Sequence, residues 1–287
     1  MDQILVDPSD ERRILDFRPL GFRDVAVLGR YSYATAHGAL EEHSHGEMLE
    51  ICYMASGEQA YVVDGQDFTL KGGEVFITRP HERHGTGRRP EGKGSLYWLL
   101  LFLPKPNARF LSLSPKETRV LADRLLNLPR KFRADNRFKR TLDRVFDAFD
   151  RTDDPLRVAS LRNLLQRLLL DLIQTSRQQG WTVSPEMQRV QQHIAEQLGE
   201  PLQVRDLARL VCLSPSRFKT RFKAEIGVPP ADYIARERIE RAKEMLRGGQ
   251  ESVTAIAEAV GYPNPQYFAT VFKRYTGLTP SRFRDRA

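Results

Sequence analysis

The rhythm of apolar and polar positions changes along this chain, and each change marks a change of architecture. Between residues 20 and 103 apolar residues come in short runs broken by turn residues. Tyr61-Val62-Val63 and Phe68-Thr69-Leu70 flank Asp64 and Gly65, a hairpin signal, while Gly72, Gly73 and the glycines from Gly85 to Gly94 punctuate runs such as Val75-Phe76-Ile77 and Leu96 to Leu103. Several short strands with such turns predict a barrel or a sandwich. From Ser114 the spacing becomes helical: Ser114-Pro115-Lys116-Glu117 reads as an N-cap, a proline at N1 and a carboxylate at N3. Leu161, Leu164, Leu165, Leu168, Leu169, Leu172 and Ile173 then make an apolar stripe at helical spacing. Such a stripe packs on a neighbouring helix or the barrel, or forms a seam between two subunits. Residues 179–185 are polar and punctuated and read as a linker.

The last third repeats one pattern at a spacing of roughly fifty residues. Phe218, Phe222, Lys223, Gly227, Pro230 and Tyr233 return as Phe268, Phe272, Lys273, Gly277, Pro280 and Phe283. Val204, Leu207, Ala208 and Val211 return as Val253, Ile256, Ala257 and Val260, and the one-residue difference in spacing falls in the turn that follows, where insertion is cheapest. Each copy reads as a helix-turn-helix. In the first, Ser214 and Pro215 cap a helix that buries Phe218, Phe222 and Ile226 and leaves Ser216, Arg217, Lys219, Thr220 and Lys223 on or beside the opposite face. In the second, Asn264 and Pro265 open a helix that buries Phe268 and Phe272 and exposes Gln266, Tyr267 and Thr270, with Lys273 and Arg274 at its far end. Four basic residues and no acidic one between Arg217 and Lys223 suit a helix that meets phosphates and base edges in a major groove. Gln266 suits adenine, and Lys273 and Arg274 suit phosphates. Between the copies, Ala231 to Arg247 has no helix breaker and predicts a rod of about 25 Å. Such a rod sets two recognition helices roughly one DNA turn, ~34 Å, apart.

With these residues in view the chain resembles the AraC/XylS family of bacterial transcription regulators. Ile256-Ala257, Val260-Gly261-Tyr262, Tyr267-Phe268, Phe272-Lys273, Gly277, Thr279-Pro280 and Phe283-Arg284 follow that family's C-terminal signature in order and spacing, over about residues 185 to 287. The resemblance implies base contacts from Ser216, Arg217, Lys219 and Thr220 in the first copy and from Gln266, Tyr267 and Thr270 in the second. Two residues depart from the pattern. Arg221 stands where the family usually has an apolar residue, which implies a rolled helix or a phosphate contact. Pro265 replaces a residue that commonly contributes a side-chain contact, so the second copy is expected to anchor more than it discriminates.

Five of the six histidines lie between His37 and His84. His43 and His45 are spaced to share one strand face, Glu50 follows a turn-like Gly46-Glu47, and Gly57 comes seven residues later. Gly38, His43, His45, Glu50 and Gly57 resemble the first cupin motif, and Gly73, Pro80 and His84 a degraded second one. Three readings stand for His43, His45, Glu50 and His84: a site for a divalent metal such as Zn, Ni, Mn or Fe; a metal-free pocket gripping a sugar hydroxyl or a carboxylate; or hydrogen-bonded barrel residues with no special role. His37 and His81 are placed in the last class. Tyr53, Tyr61 and Trp98 are candidates to stack on a sugar face. Resemblance to the family's sensor domains implies an inducer bound in the barrel.

Composition adds bounds. A chain of 287 residues suits two domains, and a net charge of +8 suits a polyanionic partner. The longest apolar run, Leu96 to Leu103, is far short of the roughly 20 residues of a bilayer span, and the acidic start is no signal peptide, so a cytoplasmic protein with no membrane partner is expected. Cys52 and Cys212 lie far apart, so neither a disulfide scaffold nor a thiolate zinc site is indicated, and a cysteine-dependent repair alkyltransferase is excluded. The expected molecule is a two-domain α+β protein. Residues 1–112 form a cupin-like ligand-sensing β-barrel, 113–178 a helical, dimerising segment, and 186–287 an all-α double helix-turn-helix. Its expected partners are double-stranded DNA, a small-molecule effector, a second copy of the chain and RNA polymerase. No catalytic residue and no organic cofactor are expected; the competing class is a metal-dependent cupin enzyme with a DNA-binding tail.

Overall fold

The computed structural model describes residues 9–105, 108–134, 136–177, 183–249 and 251–286. The chain divides into two compact units. One comprises Met1–Ser32, Glu41–Gly87 and Ser95–Trp181; the other comprises Tyr33–Leu40, Arg88–Gly94 and Thr182–Ala287. The expected linker falls largely on residues outside those described.

The first unit is a sheet backed by helices. Its strands are β1 (Arg12–Asp16), β2 (Val25–Tyr33), β3 (Met48–Val63), β4 (Gln66–Lys71), β5 (Glu74–Thr78), β6 (His84–Gly85), β7 (Gly94–Phe102) and β8 (Lys131–Arg133), with helices α1 (Pro115–Leu126), α2 (Asn136–Asp150) and α3 (Arg157–Ser176). The sheet runs β1-β2-β7-β3-β5-β8, and β4 and β6 also pair with β3. The sixteen residues of β3 therefore change antiparallel partners along their length: the first half pairs β5, with Glu50 opposite Thr78, and the second half pairs β4 and β6, with Val63 opposite His84. Asp64 and Gly65 make the β3–β4 turn with φ of 48° and 78°, the left-handed pair that a two-residue hairpin of this hand requires. Two strands lie outside the stretch read as strands. β1 precedes it, and β8 returns to pair β5 from within the segment read as helical.

Alternation along β3 sorts its two faces. Leu49, Ile51 and Tyr53 join the large core with Leu142, Leu165, Leu168, Leu169 and Leu172, whereas Glu50 and Cys52 point to the opposite face. All seven residues of the leucine-rich stripe are buried in this intrachain cluster. At roughly 1.5–3 kcal/mol per fully buried side chain, the stripe is committed to the sheet and to α2 and is not the exposed seam of a dimer. The predicted start of α1 is met in full, since Ser114 and Glu117 form a reciprocal capping box behind Pro115.

The second unit carries α4 (Pro185–Glu196), α5 (Val204–Leu210), α6 (Pro215–Ile226), α7 (Pro230–Gly248), α8 (Val253–Ala259), α9 (Pro265–Thr276) and α10 (Pro280–Arg284). They form two small cores. Met187, Val190, Ile194, Leu207, Phe218, Phe222 and Ile234 make one; Ile239, Ala242, Leu246, Ile256, Val260, Phe268 and Phe272 make the other. The connecting rod α7 contributes Ile234 to the first and Ile239, Ala242 and Leu246 to the second, so one helix fixes the two bundles to each other. Among the described residues, no helix is long and apolar enough to cross a membrane.

Candidate nucleic-acid interface and ligand site

Each recognition helix is set by the same local chemistry. Ser214 accepts a hydrogen bond from the Arg217 amide at the start of α6, and Asn264 accepts one from the Tyr267 amide at the start of α9, each followed by a proline at N1. Gly227 and Gly277 end these helices with φ of 94° and 75°. Because Phe218 and Phe222 are fully buried, helical geometry turns Ser216, Arg217, Lys219, Thr220 and Lys223 outward, and all five are exposed. In α9, Phe268, Val271 and Phe272 are buried, while Gln266, Tyr267, Thr270 and Lys273 are exposed and Arg274 is half-buried. The Thr270 hydroxyl donates to the Gln266 carbonyl 3.0 Å away, which leaves it acceptor capacity only toward a partner.

Arg221 fulfils neither role implied for it. Its guanidinium bonds Glu225 at 2.7 Å, Ser184 Oγ at 3.1 Å and Glu186 at 3.2 Å, and so pins the start of α4 to α6. Burial raises the Glu225 carboxyl, but the bonds from Ser184 and Arg221 outweigh it and hold the group below its usual value.

In the first unit the sequence-predicted cluster assembles. His43 and His45 precede β3 rather than lying in a continuous strand. His43 joins β6 through a bridge in which its amide donates to the His84 carbonyl at 2.9 Å and the His84 amide donates back at 2.8 Å. Gly46 turns the chain with φ 56°, and Glu50 enters two residues into β3. The three imidazole rings lie 4.4 to 5.2 Å apart between centroids. Glu50 spans two of them, with Oε2 3.0 Å from His84 Nε2 and Oε1 3.7 Å from His45 Nε2.

The electrostatics follow from burial and from this carboxylate. Burial pushes His43 down from its ordinary value. Burial also works against charge on His84, but the charge and hydrogen bond of Glu50 outweigh it and raise the imidazole. Burial alone would raise Glu50; its contacts with His84 and His45 reverse the sign and hold it well below the usual carboxylate range.

Other candidates fall elsewhere. Tyr53 faces the helices, edge-on to Phe138, and is a core residue rather than a stacking platform. Tyr61 lies stacked on Phe76 at 4.8 Å and its hydroxyl donates to Cys52 Sγ at 3.3 Å. Trp98 packs under the Arg12 guanidinium. His37 stacks on Tyr33, and His81 is exposed, 3.1 Å from Glu47. Sequence reasoning missed Thr78, whose hydroxyl donates to Glu50 Oε2 at 3.3 Å. Only the β3–β5 register reveals it. It also missed Arg130, which holds Glu82, two residues before His84, in a two-pronged ion pair.

With this geometry in place, comparison with known proteins is specific. The AraC-like ligand-binding domain matches residues 24–165, and a helix-turn-helix domain matches residues 207–286. The chain belongs to the AraC family of transcription regulators, pairing a cupin-like ligand-binding domain with a DNA-binding domain; these are regulators, not enzymes. It is similar to the HTH-type transcriptional regulator YfiF of Bacillus subtilis, 26% identical over 92% of this chain and 85% of that one. It is also similar to the HTH-type transcriptional activator RhaS of Salmonella heidelberg, 26% identical over 94% of this chain and 95% of that one. Among solved structures, the C-terminal domain of the two-component response regulator yesN from Fusobacterium nucleatum is 31% identical, covering 35% of this chain and 99% of that one with a TM-score of 0.34.

Proposed function

We propose that the protein is a ligand-responsive, sequence-specific regulator whose two recognition helices read successive major-groove segments of one DNA duplex, and whose effector, a sugar or other small metabolite, sits against His43, His45, Glu50 and His84. The observation that carries the DNA reading is the pair of capped helices, each burying its phenylalanines and exposing, but for the half-buried Arg274, the residues predicted to meet DNA. Ser216, Arg217, Lys219 and Thr220 supply base contacts in the first helix, with Lys223 on phosphate. Gln266, Tyr267 and Thr270 face the groove in the second, with Lys273 and Arg274 on phosphates.

The protein acts as a cytoplasmic homodimer and recruits RNA polymerase as an activator, the role carried in the name of its RhaS relative. Since the leucine stripe is buried, the dimer contact lies on the outward face of α3, where Leu156 at its start and Leu170 are 66% and 52% exposed. For the effector to regulate, it must bind one arrangement of the protein better than another, by about 1 to 3 kcal/mol. The test is fluorescence anisotropy with duplex from upstream of the neighbouring genes, with and without candidate metabolites. A salt-sensitive preference for that DNA, shifted about 5- to 150-fold by one metabolite, is the expected result. Affinity indifferent to sequence would refute the regulator, and affinity indifferent to every metabolite the sensor.

A further inference from the structure

We propose that Tyr33–Leu40 and Arg88–Gly94 form a regulatory strap, latched onto α7 and α9 by Lys93, that couples the DNA-binding helices to the His43–His84 pair. Both segments belong to the unit of helices, although each falls in sequence between strands of the sheet. They pair with each other. The His37 amide donates to the Glu91 carbonyl at 3.0 Å, the Glu91 amide donates to the Gly38 carbonyl at 3.1 Å, and Ala39 lies opposite Pro90 in an antiparallel bridge. Backbone groups bonded in this way hold the two short segments as one ribbon.

The ribbon is fastened to the helices at two places. The Ala36 amide donates to the Arg274 carbonyl at 2.8 Å, near the C-terminal end of α9. Lys93 is gripped by both side chain and backbone: its Nζ donates to Asp232 Oδ1 at 2.6 Å, and its carbonyl accepts from Arg236 Nη2 at 2.9 Å. The ammonium also lies 5.2 Å from the centre of the Tyr275 ring. The helices do not need Lys93 in order to meet. Tyr275 donates to Asp232 at 2.6 Å and Arg236 bonds the other carboxylate oxygen at 3.0 Å, so α7 and α9 are joined, and the Asp232 charge is balanced, without the lysine. Nor does the helix-turn-helix pattern demand the acid. Pro230 and Tyr233 recur as Pro280 and Phe283, but Asp232 falls on Arg282. The lysine and its acceptor therefore act as a fastener for the ribbon and not as part of the repeated unit.

The same two stretches of chain lead to the histidine pair. Leu40 stands three residues before His43 and Arg88 four after His84, and those two histidines exchange backbone hydrogen bonds of 2.9 and 2.8 Å across an antiparallel bridge. Two antiparallel stretches are thus pinned at one end by His43 with His84 and at the other by Lys93. A ligand that shifts His43 or His84 moves the ribbon from one end, and a duplex that shifts α7 or α9 pulls it from the other. Coupling of this kind is reciprocal, so DNA acts on the histidine pair as strongly as a ligand there acts on DNA. The coupling rests on the function proposed above, in which this pair belongs to the effector site; the fastening by Lys93 does not.

The test is hydrogen exchange of full-length protein, alone and with the duplex most enriched in a selection from random sequence. In protein alone, the Ala36, His37 and Glu91 amides are expected to be protected; Lys93→Gln speeds their exchange about fivefold or more, and Lys93→Arg restores the protection. Adding duplex to wild type changes exchange of these amides and of the His43 and His84 amides by about fivefold or more. In Lys93→Gln the duplex still binds but no longer reaches the two histidine amides. An unprotected ribbon in wild type, or a histidine response to DNA that survives in Lys93→Gln, overturns the strap. A Lys93→Gln chain that does not fold overturns the reading of Lys93 as a fastener. Duplex binding that leaves the ribbon and both histidines unchanged overturns the coupling and leaves the regulator standing. A selection that enriches no duplex overturns the regulator and the coupling that rests on it, while the fastening still stands or falls on the exchange of Lys93→Gln protein alone.

Discussion

Cys212 and Gly261 occupy the same place in the two helix-turn-helix copies, one residue past Val211 and Val260, and both hold a left-handed backbone with φ of 54° and 84°. In each copy the next amide donates back to an alanine carbonyl of the preceding helix, Leu213 to Ala208 at 2.9 Å and Tyr262 to Ala257 at 2.8 Å. The turn is therefore one structure built twice, although the sequences in it differ in length and composition.

The second copy needs its glycine for a further reason. A Cβ at Gly261 would lie 2.7 Å from the Leu198 carbonyl oxygen and 2.5 Å from Arg238 Nη2. That guanidinium bonds the Leu198 and Glu200 carbonyls and lies over the Tyr262 ring. Gly261→Ala is expected to destabilise the protein by about 2 kcal/mol or more, from left-handed strain plus the clash. Cys212→Gly should change stability by less than about 1 kcal/mol, because strain relief and added unfolded-state freedom oppose each other. Urea melts of both variants decide; equal losses contradict the account.

Much of this architecture was legible because its signals are local. Caps at Ser114, Ser214 and Asn264, the Asp64–Gly65 turn and the phenylalanine spacing each act within a few residues of sequence. What was hidden depends on long-range pairing. β8 is three residues long and gains its identity only from β5, Thr78 meets Glu50 only through register, and the leucine stripe fits a subunit seam as well as it fits the core until the sheet is present to cover it. Arg221 likewise looked like a surface cation until α4 brought Glu186 and Ser184 to it.

Arg221→Ala tests that reassignment. Without the bonds to Glu225, Glu186 and Ser184, thermal stability should fall while the salt dependence of DNA binding keeps its slope. A slope smaller by about one would return the arginine to a phosphate.

The exposed lysines of the two helices should behave differently. Lys219→Ala is expected to weaken binding and to relax preference at one base position, by about 1–3 kcal/mol of discrimination. Lys273→Ala should weaken all duplexes alike and reduce the salt slope by about one. Titrations against a set of single-base operator variants, at several salt concentrations, separate the two, and matching profiles would contradict the division of labour.

Phe272 is fully buried, in ring contact with Phe268 and Phe283. Phe272→Ala should cost roughly 3 to 5 kcal/mol as a core cavity and unfold the second bundle first. Amide exchange that rises across α8 to α10 before the first bundle is the expected signature; uniform exchange across both bundles would show that α7 couples them into one cooperative unit.

A pH dependence follows from Asp232, which lies in the second unit with Lys93, Arg236 and Tyr275 bonded to its carboxylate at 2.6, 3.0 and 2.6 Å. Burial raises its pKa, but Arg236, Lys93 and Tyr275 outweigh that and hold it below the usual 3.8. A depressed folded-state value gives stability that is fully present above the unfolded pKa and lost as pH falls through the folded one. Wild type should therefore melt above Asp232→Asn at pH 7, with the gap closing below about pH 4. A gap unchanged at pH 3 would contradict this.

The central claim is that one chain reads two neighbouring segments of duplex DNA. Selection of full-length protein against random-sequence duplex tests it most directly. The account predicts enrichment of two short motifs about 10 base pairs apart, centre to centre, with the stronger base preference in the motif that relaxes in Lys219→Ala protein. Enrichment of a single motif, or recovery governed by salt alone with no motif at all, would contradict it.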